Sequence, residues 1–205
     1  MDAPGYGRSR TGAWMLSAFA VALVIGGATL ALHGAAPEGT VLGLRLTARW
    51  SYLWFWLAYT AGAWQTLLGT RFHGVAARAR DFGLAFAAAH LVHLALVAWL
   101  YRVAEHPPGV RTLEFFGVAA LFTYLLALLS FRRAAAWVPH RALTLIRTVG
   151  IEYIALAFIV DFARDPLRVS LEHVLGYGAF LALGVLAYAL RVAALVHRCL
   201  RRAPA

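Results

Sequence analysis

Long apolar blocks alternate along the chain with short segments rich in Arg, Pro and Gly. The blocks cover roughly residues 13–32, 50–68, 82–103, 113–131, 143–162 and 171–192. Each is close to the ~20 residues with which a helix crosses ~30 Å of hydrocarbon. They lack the polar stripe of a surface helix, and the alternating ten-residue segments of a membrane strand are absent. The pattern predicts an all-α polytopic bundle of six transmembrane helices, forming one transmembrane domain over residues 1–205. Connections such as "HGAAPEGT", "EHPPGVRT" and "DFARDPLR" leave no room for a soluble domain, and no repeat recurs at a fixed period.

Composition agrees: 62% of the 205 residues are hydrophobic and 14% are charged, where a soluble domain carries about 25%. The net charge of +10 changes the picture only through its placement. The arginines gather at block ends, which fits membrane topology and not nucleic acid. The amino-terminal tail, the second and fourth connections and the carboxyl-terminal tail carry Arg8, Arg10, Arg71, Arg78, Arg80, Arg132, Arg133, Arg141, Arg198, Arg201 and Arg202. On the other side Arg45, Arg49, Arg102, Arg111, Arg164 and Arg168 are balanced by Glu38, Glu105, Glu114, Asp161, Asp165 and Glu172. That asymmetry predicts both termini in the cytoplasm. All 19 basic residues are Arg and Ala is abundant, as in GC-rich genomes, so a bacterial inner (plasma) membrane is expected. The uncharged stretch from Thr11 to Pro37 exceeds a signal-peptide core of 7–15 residues, so it reads as a span. Cys199 is the only cysteine, which excludes an internal disulfide or a CxxC centre.

Candidate chemistry begins with "RDFGLAFAAAHLVHLALVAWLYR", residues 80–102, uncharged from Phe82 to Tyr101 but holding His90 and His93. Three apart on a helix, the two imidazoles project from one face about 60° from each other. His93 stands ~16 Å along the helix from Phe82, close to mid-membrane. The fifth block, "HRALTLIRTVGIEYIALAFIVDF", enters from the same side and has Glu152 about a dozen residues in. Glu152 and His93 are therefore expected at similar depth. One ionisable group at a helix centre costs on the order of 2.5–3.5 kcal/mol to insert. Three readings stay open from spacing alone: a His–Glu packing lock, a proton path or ion site, and a haem or metal ligand.

The segment "RDFGLAFAAAHLVHL" resembles the third helix of the ferric reductase-like transmembrane family. There an Arg-rich connection leads into a Leu-Gly-Leu turn and then a haem-ligating His about ten residues after the Gly. Arg80, Phe82, Gly83 and Leu84 match that entry, and His93 follows Gly83 by ten. "RTVGIEYI" resembles the family's fifth helix, and the likeness extends over residues 45–165. The resemblance implies a six-helix bundle with b-type haem between its third and fifth helices, working in transmembrane electron transfer. It departs at one position: Glu152 stands where the family has a His, and carboxylate is a poor axial ligand for this haem.

The resemblance therefore implies at most one haem b, with His93, or else His90, as axial iron ligand. Glu152 would hydrogen-bond a distal water, tune the haem or pass protons. His140, at the cytoplasmic start of the fifth block, is the remaining candidate for a second ligand, and Arg147 for pairing with a propionate. His33, His73, His106, His173 and His197 fall at block ends or in connections and read as interfacial. No dinucleotide or phosphate-binding motif is present. An oxidoreductase component of this kind would take electrons from a separate donor protein or from quinone and pass them to a periplasmic acceptor. The alternatives are a haem-free structural or partner-binding subunit of the same fold, and a proton-coupled carrier using His93 and Glu152.

Overall fold

The computed structural model describes residues 6–163 and 174–202. All regular structure among them is helical: α1 (Tyr6–His33), α2 (Pro37–Leu68), a 3-10 turn (Gly69–Phe72), α3 (His73–Ala77), α4 (Ala79–Val103), α5 (Val110–Leu128), α6 (Arg132–Ala135), α7 (His140–Phe162), a π-helical turn (Val174–Gly178) and α8 (Ala179–Arg202). Arg164, Asp165, Arg168, Glu172 and His173, used above to weigh orientation, lie outside the described residues, as does the start of the sixth block.

Five helices are long and apolar enough to cross a membrane: Arg10–His33, Ala79–Val103, Val110–Leu128, His140–Phe162 and Gly176–Arg201. The chain thus has multi-pass membrane character. The expected span at 50–68 is not among the five. It forms the second half of α2, which begins at Pro37 and takes in Arg45 and Arg49. Proline suits a first helical turn, and Glu38 beside it complements the helix dipole, while no further proline separates Pro37 from Trp50. Tryptophan, tyrosine, serine and threonine dilute the hydropathy of this helix despite its bulk.

Contacts divide the chain into two compact units, one of Met1–Phe55 with Asp81–Phe115 and the other of Trp56–Arg80 with Phe116–Ala205. In the first unit α1 and α2 form an antiparallel hairpin. A left-handed Gly34 (φ 82°) makes the turn, and a Cβ at Gly39 would strike the His33 and Gly34 carbonyls. Only glycine fits both demands. Trp50 Nε1 donates to the Ala18 carbonyl at 2.9 Å, and Trp14 meets Trp54 edge to face at 5.6 Å. Helix α4 runs parallel to α1, from the Thr11–Asp81 hydrogen bond (2.7 Å) to the Trp99 Nε1 contact with the Ala35 carbonyl (3.0 Å). Ala18 and Ala22 of α1 and Ala85 and Ala89 of α4 are buried together with Val92. Small residues four apart on both helices let the backbones approach closely, the usual basis of helix association where lipid supplies no hydrophobic drive.

In the second unit α5 lies antiparallel to α7. Gly150 sits under Phe122 and Leu126, Tyr153 faces Phe122 at 5.7 Å between ring centroids, and Arg147 reaches the Leu129 carbonyl at 3.0 Å. Helix α8 is antiparallel to α7 as well, since Phe180 packs on Phe162 while Arg191 meets Glu152. The end of α2 joins them through Trp56 Nε1, which donates to the Leu183 carbonyl at 2.9 Å. Buried hydroxyls in both units bond back to a carbonyl four residues earlier, as Thr60 does to Trp56 and Ser51 to Thr47. The hydrogens of these hydroxyls are thus satisfied within their own helix.

Candidate functional site

Each unit holds one polar group set inside apolar helix, and the sequence-derived candidates divide between them. In the first unit, the half-buried His90 and His93 stack on α4 with centroids 5.1 Å apart and planes 18° apart. Phe86, one turn earlier, lies 5.4 Å from the His90 ring and 5.3 Å from the Phe55 ring of α2. The three side chains 86, 90 and 93 thus make one aromatic stripe, as their i, i+4, i+7 spacing requires.

Thr47 of α2 decides the state of His93. Its Oγ lies 2.8 Å from the Gly43 carbonyl, 3.2 Å from the Leu44 carbonyl and 3.3 Å from His93 Nδ1. A hydroxyl has one proton, a carbonyl can only accept, and the Gly43 contact is the shortest. The Thr47 proton therefore goes to Gly43, which leaves the Thr47 oxygen free to accept from His93 Nδ1, while the Leu44 carbonyl is a second acceptor for the ring. In the neutral ring with its proton on Nδ1, the lone pair lies on Nε2. A histidine oriented through one nitrogen with the other bearing a lone pair is the usual arrangement of an iron-ligating imidazole. Sequence reasoning missed Thr47; its place in "GLRLTARW", among charges, hid that it packs against His93.

His90 differs. Its Nδ1 is buried with no hydrogen-bond partner among the described residues. An unsatisfied buried polar atom costs about 1–3 kcal/mol, so natural structures seldom keep one without a use.

In the second unit Glu152 has both carboxylate oxygens engaged. Arg191 Nη2 donates to Oε1 at 2.6 Å, and the Tyr59 hydroxyl donates to Oε2 at 2.7 Å. Arg191 Nη1 also reaches the Tyr59 carbonyl at 3.3 Å, and its guanidinium lies 4.3 Å from the centre of the Tyr59 ring. Three helices, α2, α7 and α8, are thus tied by one net-neutral cluster. Arginine suits it because a planar guanidinium can serve a carboxylate and an aromatic face together.

The other candidates take structural or peripheral positions. His140 is the first residue of α7 and exposed. Arg147 donates to the carbonyl at the end of α5. Among the described residues no three His, Cys, Asp or Glu side chains converge as a metal-ion site. No protein-family model, curated protein or solved structure matches the chain.

Fit to a b-type haem follows from these partners. His93 fits as an axial ligand in the tautomer that gives its Nδ1–H to Thr47, since its Nε2 then carries the lone pair. Glu152 does not fit as the second, because arginine and tyrosine already hold both its oxygens. A two-ligand arrangement with Glu152 as the second ligand is therefore not supported by these residues.

Proposed function

We propose that the chain is a multi-pass membrane haem protein of the ferric reductase-like kind, relaying electrons across a bacterial inner membrane. The observation that carries the reading is the Thr47–His93 contact of 3.3 Å, which orients one imidazole within an apolar helix. A b-type haem bound there would supply one-electron chemistry. His93 would bind the iron through Nε2, Thr47 would hold the ring against rotation, and Phe86 and Phe55 would keep water from it. In this reading the second half of α2 is the sixth span, lined by Trp, and both termini are cytoplasmic. A separate donor protein or membrane quinone provides the electrons, and a periplasmic component receives them.

A second reading is favoured by the saturated carboxylate. With Glu152 neutralised by Arg191 and Tyr59, the fifth-helix position is a packing lock, as expected of a haem-free structural or partner-binding subunit. Purification from haem-replete cells, followed by oxidised and dithionite-reduced absorption spectra, separates the two. A stoichiometric Soret band that shifts on reduction and disappears in His93→Ala supports the electron-transfer reading. A folded, monodisperse protein without that band, even after added haem, leaves the haem-free one. Glu152→His sharpens the choice: a new low-spin six-coordinate spectrum speaks for haem, and lost stability alone for the lock.

A further inference from the structure

One end of the second unit concentrates charge of a single sign. Helix α5 ends there and α7 starts there, because the two are antiparallel; α8 ends there for the same reason. The end of α2 arrives at the same place, as α2 meets Leu183 at Trp56 and Arg191 at Tyr59. Three segments gather at this end: 69–80, 129–141 and 193–202. Each carries three arginines and one histidine, and none carries an Asp or Glu.

Two arginines of this region have a structural task. Arg80 donates to the Ser130 carbonyl at 3.0 Å while lying 5.5 Å over the Phe131 ring, and Arg147 donates to the Leu129 carbonyl. They complete the carbonyl end of α5, where cations are favourable. Arg71, Arg78, Arg132, Arg133, Arg141 and Arg198 are exposed. Large apolar side chains are exposed among them: Trp137 at 89%, Phe131 at 47%, Leu145 at 64% and Leu200 at 71%.

We infer that this end of the unit is a docking surface for the phosphate headgroups of anionic phospholipids in the protein's own bilayer. The interleaving selects the partner. An acidic soluble protein would neutralise the arginines but leave Trp137 of the connection in water. A headgroup layer satisfies both: phosphates accept from the guanidinium forks, and indole is at home at the membrane–water boundary. The connection between α5 and α7 is built for this. Arg132 and Arg133 precede Trp137, and Arg141 follows it, within one short segment. The surface does not depend on a haem being bound.

The test uses the full-length protein in nanodiscs of equal parts phosphatidylcholine and phosphatidylglycerol, with retained lipids counted by native mass spectrometry. Phosphatidylglycerol should be strongly enriched over the input mixture. Arg132→Gln with Arg133→Gln should reduce that enrichment by about fivefold for each arginine removed, the size expected for a basic residue at an anionic surface. Arg102→Gln with Arg111→Gln removes the same charge elsewhere and should leave enrichment unchanged. Equal retention of the two lipids by the unsubstituted protein would overturn the inference without relying on any variant. So would equal loss in both double variants, which would mean bulk charge alone. Displacement of the lipid by polyglutamate or by inorganic phosphate at millimolar concentration would also overturn it, in favour of an acidic partner or a free-phosphate site.

Discussion

Arg191 Nη2 and Glu152 Oε1 meet at 2.6 Å, each twelve residues into its helix, counted from Ala179 for α8 and His140 for α7. At 1.5 Å per residue both stand ~18 Å from a helix end, near the middle of segments apolar enough to span a bilayer. A lone charge at that depth costs on the order of 2.5–3.5 kcal/mol. The pair offsets much of this by becoming net-neutral, with Tyr59 filling the second carboxylate oxygen. Its side chains keep 34% and 37% of their exposure, so the tie is weaker than a fully enclosed one.

Breaking one side should therefore cost more than breaking both. Glu152→Gln or Arg191→Gln alone should destabilise the protein by about 2 kcal/mol, below the 3–5 kcal/mol of a fully buried pair. The double variant Glu152→Gln/Arg191→Gln should recover part of that loss. Thermal unfolding in detergent for the four-member cycle gives the coupling. Strictly additive effects would mean that the two side chains do not act together.

Tyr59→Phe tests the third member separately. It removes one donor to Glu152 and keeps the ring under the Arg191 guanidinium. The expected loss is about 1.5–3 kcal/mol, that of one hydrogen bond to a charged group. Tyr59→Leu, which also removes the aromatic face, should cost more in the same assay; an equal cost would deny the ring any part.

Gly150 is a packing position. A Cβ there would come within 2.8 Å of Phe122 Cδ1 and 3.2 Å of Leu126 Cδ1. Gly150→Val should force α5 and α7 apart and cost about 1–3 kcal/mol, the usual range for overpacking. The compensating variant Gly150→Val/Phe122→Leu should regain part of it, measured by the unfolding midpoint. If Phe122→Leu makes the valine variant worse, the contact is not where the strain lies.

Five spanning helices were legible in the sequence because long apolar runs mark them. Their ends were less so. Reading the second block from Trp50 left Arg45, Arg49 and Thr47 in a connection, whereas α2 starts at Pro37 and puts Thr47 against His93. The sixth block was ended at Val192, which placed Arg191 at its edge. Helix α8 instead runs from Ala179 to Arg202, and Arg191 falls mid-helix. Depth matching also applies between Glu152 and α8, where Arg191, a charge of opposite sign, meets it. A lone Arg between Glu172 and Arg198 was the clue. His90 and His93 were found by their position in an apolar run, and only their partners, fixed by tertiary contact, were beyond the sequence.

Thr47 offers the most direct hold on the imidazole. Its hydroxyl donates to its own helix and accepts from His93 Nδ1, so Thr47→Val keeps the shape and removes the acceptor. The Nδ1–H then has no partner from Thr47, and the ring loses its preference for carrying the proton there. With haem bound, this should weaken retention by roughly 10–100-fold, the usual cost of losing the group that orients a metal-bound histidine. Thr47→Ser, which retains the oxygen, should restore it. The readout is haem transfer to apomyoglobin followed at the Soret band, beside the midpoint of thermal unfolding. Faster haem loss in the valine variant with an unchanged unfolding midpoint would assign Thr47 to orienting the ligand. Equal haem retention in all three proteins would remove the Thr47–His93 contact as support for the electron-transfer reading.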